Sequence, residues 1–151
     1  MKTHHLNQIS SINKPLLDVF AFFCNAENLA RLTPPSVNFK ILTPLPISIK
    51  QGALIDYRIK INGIIFNWQT EITIWEPPFR FVDIQKKGPY KLWRHEHLFE
   101  EKNGKTQMTD NVEFQSPGWI LEPIINGLFV EKKVNEIFTY RNKQIGLWEL
   151  E

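Results

Sequence analysis

The chain has 151 residues, which suits one domain (residues 1–151) with a real hydrophobic core, and a net charge of only +2. Its Lys and Arg are interleaved with acidic residues and never run longer than two, so the clustered basic face of a nucleic-acid-binding protein is missing. No stretch approaches the roughly 20 apolar residues that span a bilayer, MKTHHLNQIS lacks the apolar core of a signal peptide, and the lone Cys24 excludes an internal disulfide; the expectation is a cytoplasmic protein without stable membrane insertion.

His4 to Ile12 alternates weakly and reads as a first strand. Asn13 then supplies an N-cap, with Pro15 in the first turn of a short helix whose apolar face is Leu16, Val19, Phe20 and Phe23. That helix ends near Asn25 and carries Cys24, read as a buried, inert thiol. Glu27 to Leu32 forms a second short helix, stopped by Thr33-Pro34-Pro35. From Val37 the apolar period becomes two. Val37, Phe39 and Ile41 make a strand, broken by Pro44 and Pro46. Ala53, Ile55, Tyr57, Ile59 and Ile61 share one face of the next. Asn62-Gly63 is a two-residue hairpin signal. Ile64 to Trp75 returns with Phe66, Trp68, Thr70, Ile72 and Ile74 on one face, and Pro77-Pro78 ends it. Phe79 to Lys86 and Lys91 to Glu101 follow, joined by a Gly88-Pro89-Tyr90 turn in which Tyr90 either caps a cavity mouth or lies on the surface. After a second hairpin at Lys102–Lys105, Thr106 to Gln115 closes the sheet with Met108, Asp110, Val112 and Phe114 on one face. Beyond the break at Ser116-Pro117-Gly118 the helical period returns. Val130, Val134, Ile137, Phe138, Arg141 and Ile145 lie on one stripe, with Leu128 close to it, in a helix of about twenty residues or more whose first turns Pro123 and Gly127 loosen.

The order is strand, two short helices, about six antiparallel strands, one long helix. An antiparallel sheet with one apolar face must cover it, and the terminal helix has a stripe of the right length. Where the sheet curves more than the helix surface, a gap remains. Eleven Phe, five Trp and three Tyr are many for this length, and large rings line pockets for apolar ligands as readily as they fill cores.

FRFVDIQKKGPYKLWRHEHLF, residues 79–99, carries most of the chemistry. Alternation puts Lys91, Trp93, His95, His97 and Phe99 on one face, opposite Leu92, Arg94, Glu96 and Leu98. Both imidazoles therefore look the same way, and Asp83 or Asp110 on a neighbouring strand could add a third metal ligand. Two ligands without an assured third favour the plainer reading, hydrogen-bonded histidines at a polar part of the cavity, and no metal or other cofactor is assigned. Asp83 shares a face with Phe79 and Phe81, where a carboxylate is costly unless paired. His95 or His97 is its natural partner, either tying two strands together or acting as an acid/base or orienting pair. Tyr57, Trp68 and Trp93, whose polar atoms suit a cavity rim, together with Asp83, His95, His97, Asp110 and Phe138, make the candidate ligand-binding set. Asp83, His95 and His97 are the candidate catalytic residues. Arg58, Arg80 and Arg94 belong to the solvated face, and Glu96 points to solvent. No phosphate loop, Ser-His-Asp order or CxxC pair is present.

The strings FFCNAENLARLTPP, GALIDYRIKINGI, FNWQTEITIWEPPFRFVD, GPYKLWRHEHLFEE, TDNVEF and IFTYR resemble the polyketide cyclase/dehydrase-type, ligand-binding proteins of bacteria within the SRPBCC (START-like, helix-grip) superfamily. The resemblance runs from Pro15 to Arg141. It implies an α+β helix-grip fold: a seven-stranded curved antiparallel sheet wrapped around a long C-terminal helix, two short helices between strands 1 and 2, and a ligand cavity between sheet and helix. In that superfamily the Asn25–Leu29 region can gate access; otherwise it is a capped helix junction. No single catalytic motif runs through the superfamily, so it carries over no catalytic residue.

Three functions follow as expectations. The first is binding of a small hydrophobic or amphipathic molecule, lipid- or polyketide-like, as carrier or sensor. The second is a cyclase or dehydratase using Asp83, His95 and His97. The third is an interaction module with a vestigial, ring-packed interior. No protein partner is indicated.

Overall fold

The computed structural model of the protein describes residues 2–61, 63–116 and 126–151, the side chains of 126–131 excepted. Strand β1 (His4–Ile12) leads into helices α1 (Leu16–Cys24) and α2 (Asn28–Leu32), a 3-10 turn (Pro35–Val37) and a short β2 (Lys40–Ile41). Then come β3 (Leu54–Ile61), β4 (Ile64–Glu76), β5 (Arg80–Lys87), β6 (Leu92–Lys102), β7 (Lys105–Gln115) and α3 (Asn126–Glu149). All seven strands form one curved antiparallel sheet in the order β1-β7-β6-β5-β4-β3-β2. Only β1 departs from hairpin order, returning to pair with β7 from His4↔Phe114 to Ile12↔Thr106. The expected helix-grip architecture is present, with its two short helices after the first strand.

Period-two patterning produces the inner face directly. Trp93, His95, His97 and Phe99 on β6 pair with Phe114, Val112, Asp110 and Met108 on β7, and all eight belong to the same side. Asn103 and Gly104 both take positive φ (53° and 77°), the conformation a two-residue hairpin demands at its centre.

The interior holds two apolar clusters. One gathers α1 onto the sheet: Phe20 meets Phe81 at 5.9 Å and Phe99 at 5.2 Å, both edge-on, while Ile12, Val19, Ile72, Met108 and Ile145 close around them. The other joins Val112 and Phe114 of β7 to Val134 and Phe138 of α3. Val134, Phe138, Arg141 and Ile145 are the buried face of α3, as the helical stripe requires. No described helix is long and apolar enough to cross a membrane.

Several local expectations are corrected. Pro15, not Asn13, is the residue before the first turn of α1; it caps through its carbonyl, which accepts from Val19 N–H, with no side-chain cap. Val37 belongs to a 3-10 turn and only Lys40 and Ile41 pair as a strand, because Pro34 and Pro35 favour a tight turn over a ladder. In β4 the register shifts between Ile72 and Ile74. Such an irregularity reverses the alternation: Trp75 rather than Ile74 reaches the core, 5.4 Å from Phe20. Phe79 precedes β5 and is exposed. Glu96 is on the outer face as expected but is bound there by Arg80 and Asn111. Asn62, Pro117, Gly118 and Pro123, and the side chains of Leu128 and Val130, lie outside the described residues.

Candidate functional site: a crossed histidine pair at a ring-lined cavity

Strands β5, β6 and β7 are adjacent, which sets Asp83, His95, His97 and Asp110 in one patch of the inner face. By register His95 stands opposite Asp83, and His97 opposite Asp110. The hydrogen bonds run on the diagonals instead. His97 Nε2 lies 2.7 Å from Asp83 Oδ2, and His95 Nε2 lies 2.7 Å from Asp110 Oδ1. The crossing stacks the two imidazoles, centroids 3.7 Å apart and planes 26° apart. His97 is covered on its other face by Phe81 at 4.0 Å. A carboxylate only accepts, so each places a proton on the Nε2 that faces it.

Arg141 of α3 completes the chain. Its Nη1 donates to Asp110 Oδ2 at 2.6 Å, and its guanidinium lies 5.0 Å from the Phe23 ring and 5.2 Å from that of Phe138. Asp110 is 1 % exposed and Arg141 6 %. A charged pair survives there because each ion satisfies the other.

Burial raises the Asp110 carboxyl, but the Arg141 charge and the hydrogen bond from His95 outweigh it and hold the group far below the usual aspartate range. Burial, helped by repulsion from His95, lowers His97 to about 4 against the pull of Asp83, so His97 is a neutral imidazole at neutral pH. Its Nδ1 is buried without a hydrogen-bond partner among the described residues, 3.7 Å from Asp110 Oδ1.

Asp83, His95 and His97 bring one potential metal-ligand atom each to within 4.8 Å of one another. Stacked rings, however, direct their lone pairs side by side rather than at one point, and both Nε2 atoms face carboxylates. A single ion held by both imidazoles would require one of them to turn.

The other wall is aromatic. Trp68 stacks on Tyr57 at 5.8 Å and meets Tyr90 and Trp93 edge-on, each at 5.6 Å. Thr70, two residues along from Trp68, accepts the indole N–H at 3.0 Å and lies 3.1 Å from the Tyr57 hydroxyl. Burial pushes the Tyr57 phenol well above its ordinary range and Tyr90 up to about 12, so both stay protonated. Tyr90 is held from the turn by Gln85, whose amide bonds both its N–H (3.1 Å) and its carbonyl (2.6 Å). A Cβ at Gly88 would fall 2.5 Å from that Gln85 oxygen, which explains a glycine there.

Between the polar chain and the rings lies a cavity of about 210 Å³, far more than the roughly 10–15 Å³ one water centre needs. Tyr57, Trp68, Asp83, Trp93, His95, His97 and Phe138 all border it. Asp110 does not; it stands behind His95 and holds it. Tyr90 borders the cavity as well. Cys24 also borders it, and burial pushes its thiol up to about 12. Sequence reasoning left Arg141 without a role, although an arginine inside a buried helical stripe signals a buried partner.

No family model and no curated protein matches this sequence. Solved structures do. The Zhui aromatase/cyclase from Streptomyces sp. R1128 superposes with a TM-score of 0.76 at 16 % identity, covering 96 % of this chain and 93 % of that one. Ginseng major latex-like protein 151 from Panax ginseng gives 0.68 at 12 % identity, with 99 % of both chains covered. Protein Ms6760 from Mycobacterium smegmatis gives 0.68 at 17 %, covering 93 % and 87 %. What the chain shares with them is its architecture, the helix-grip fold.

Proposed function

We propose that this protein, a single domain over residues 1–151 working in the cytoplasm, binds a small hydrophobic or amphipathic molecule, lipid- or polyketide-like, between its sheet and α3, as a carrier or sensor. The observation that carries the reading is the cavity of about 210 Å³, walled by aromatic side chains and touched at one side by a few fixed polar groups. That is the usual make-up of a small-molecule site. The interior is not filled throughout, since the cavity remains beside Trp68 and Trp93, which counts against the interaction-module reading. Native mass spectrometry of freshly purified protein tests the proposal, with uptake of an apolar fluorescent probe alongside it. The expected result is a co-purifying small molecule, or probe uptake at one site per chain. A chain that is always empty and takes up no probe would overturn it.

A second reading is favoured by one specific observation, the neutral His97 held against Asp83 at the cavity wall. A positioned neutral imidazole can accept or relay a proton, and one structural neighbour is named an aromatase/cyclase. On this reading the protein is a cyclase or dehydratase of polyketide-like chains, with Asp83, His95 and His97 orienting the substrate or moving protons. Its test is turnover: His95→Ala and His97→Ala variants that match the wild type on an accepted substrate would remove the assignment.

A further inference from the structure

The two aspartate–histidine pairs are not equivalent. Asp110 has an imidazole on Oδ1 and a guanidinium on Oδ2, so both oxygens are satisfied and its charge is answered. Asp83 has only His97, on Oδ2, and its second oxygen has no partner among the described residues. Among the described residues the guanidinium paired in this patch is that of Arg141, and it is committed to Asp110. Asp83 is also the one of the two that borders the cavity. A carboxylate on an apolar aromatic wall is costly without a counter-charge, and among the described residues no Lys or Arg pairs with Asp83, which has only His97.

Several donors nearby are already used. His97 and His95 give their Nε2 protons to the carboxylates, Trp68 gives its indole N–H to Thr70, and Arg141 gives Nη1 to Asp110. The rings of Tyr57, Trp68, Tyr90 and Trp93 line the same cavity as Asp83, and their π-faces attract cations.

We propose that the ligand's polar end is a protonated amine, which takes the open oxygen of Asp83 as its counter-ion while its apolar body lies against Tyr57, Trp68, Tyr90 and Trp93. The proposal rests on the ligand-binding reading above and names its ligand class. His97 acts in it as a positioning residue, holding Asp83 by one oxygen and leaving the other to the ligand. The neutral state of His97 fits this role, because an imidazolium would already provide the missing charge.

Three isosteric probes test it: 2-phenylethylamine, 2-phenylethanol and phenylacetate, titrated by calorimetry against the purified full chain, with an apolar fluorescent probe as the control for an accessible cavity. The expected order is amine, then alcohol, then acid, with amine and alcohol separated about tenfold or more, as a hydrogen bond to a charged group implies. In Asp83→Asn that ratio should fall towards one. The wild-type ranking stands as a test even if the variant folds poorly. Equal affinities for the three probes, or preference for phenylacetate, would overturn the amine assignment while leaving the cavity reading intact. Exclusion of all three together with the apolar probe would instead overturn the cavity reading itself.

Discussion

Arg141 Nη1 sits 2.6 Å from Asp110 Oδ2 and joins the C-terminal helix to the middle of the sheet by a buried ion pair. The pair lies between the two apolar clusters, where neither ion has water to fall back on. Replacing one member therefore leaves a buried charge unanswered. Arg141→Met should destabilise the fold by about 3–5 kcal/mol, read from urea denaturation. Adding Asp110→Asn to that variant should restore a large part of the loss, since the stranded charge is then gone. Equal stability of Arg141→Met and wild type would refute the pair's role.

The buried His97 makes a second prediction, in pH. Its folded-state value, about 4, lies below the ordinary 6.5. Between those values the unfolded chain holds a proton that the folded chain refuses, so stability must fall as pH falls through this window and be fully present above it. The loss is of the order of 3 kcal/mol. Asp110, held low in the fold, adds its own loss only as the pH drops below the usual aspartate range. Urea midpoints measured across the acid range should slope between about 6.5 and about 4 for the wild type, and much less for His97→Gln. Parallel curves for the two proteins would contradict the buried neutral imidazole.

Thr70 is the hub for two polar atoms of the aromatic wall. Thr70→Val keeps the shape of the side chain but strips the acceptor from the Trp68 indole and the partner from the Tyr57 hydroxyl. Leaving such groups buried and unpaired costs about 1–3 kcal/mol. The variant should melt earlier, and with Trp68 released its tryptophan emission should shift. An unchanged spectrum would mean that Thr70 does not hold the indole.

Much of this was legible in the residues, and the reasons for success and failure are physical. Strict alternation over Lys91–Phe99 put Trp93, His95, His97 and Phe99 inward because a strand's side-chain period leaves no other choice. That a carboxylate near those rings needs a histidine followed from desolvation alone, and Asp83 has one. The crossed partnership was not legible, since diagonal reach depends on rotamers and on register with two neighbours at once. The exchange of Ile74 for Trp75 was hidden by the register shift, which leaves no composition signal. Arg141 could have been found: it sits among Val134, Phe138 and Ile145 on a stripe that must be buried, and a cation there requires an anion on the facing sheet. The chemistry of the wall was therefore more readable than its wiring.

The split between the two apolar clusters has a mechanical consequence. Around Phe20 the interior is packed ring against ring, whereas beside Trp68 and Trp93 it is hollow. Hydrostatic compression favours whatever state abolishes internal voids, so it bears unevenly on this molecule. A guest that fills the hollow end should therefore shrink the volume change of unfolding and blunt the effect of pressure.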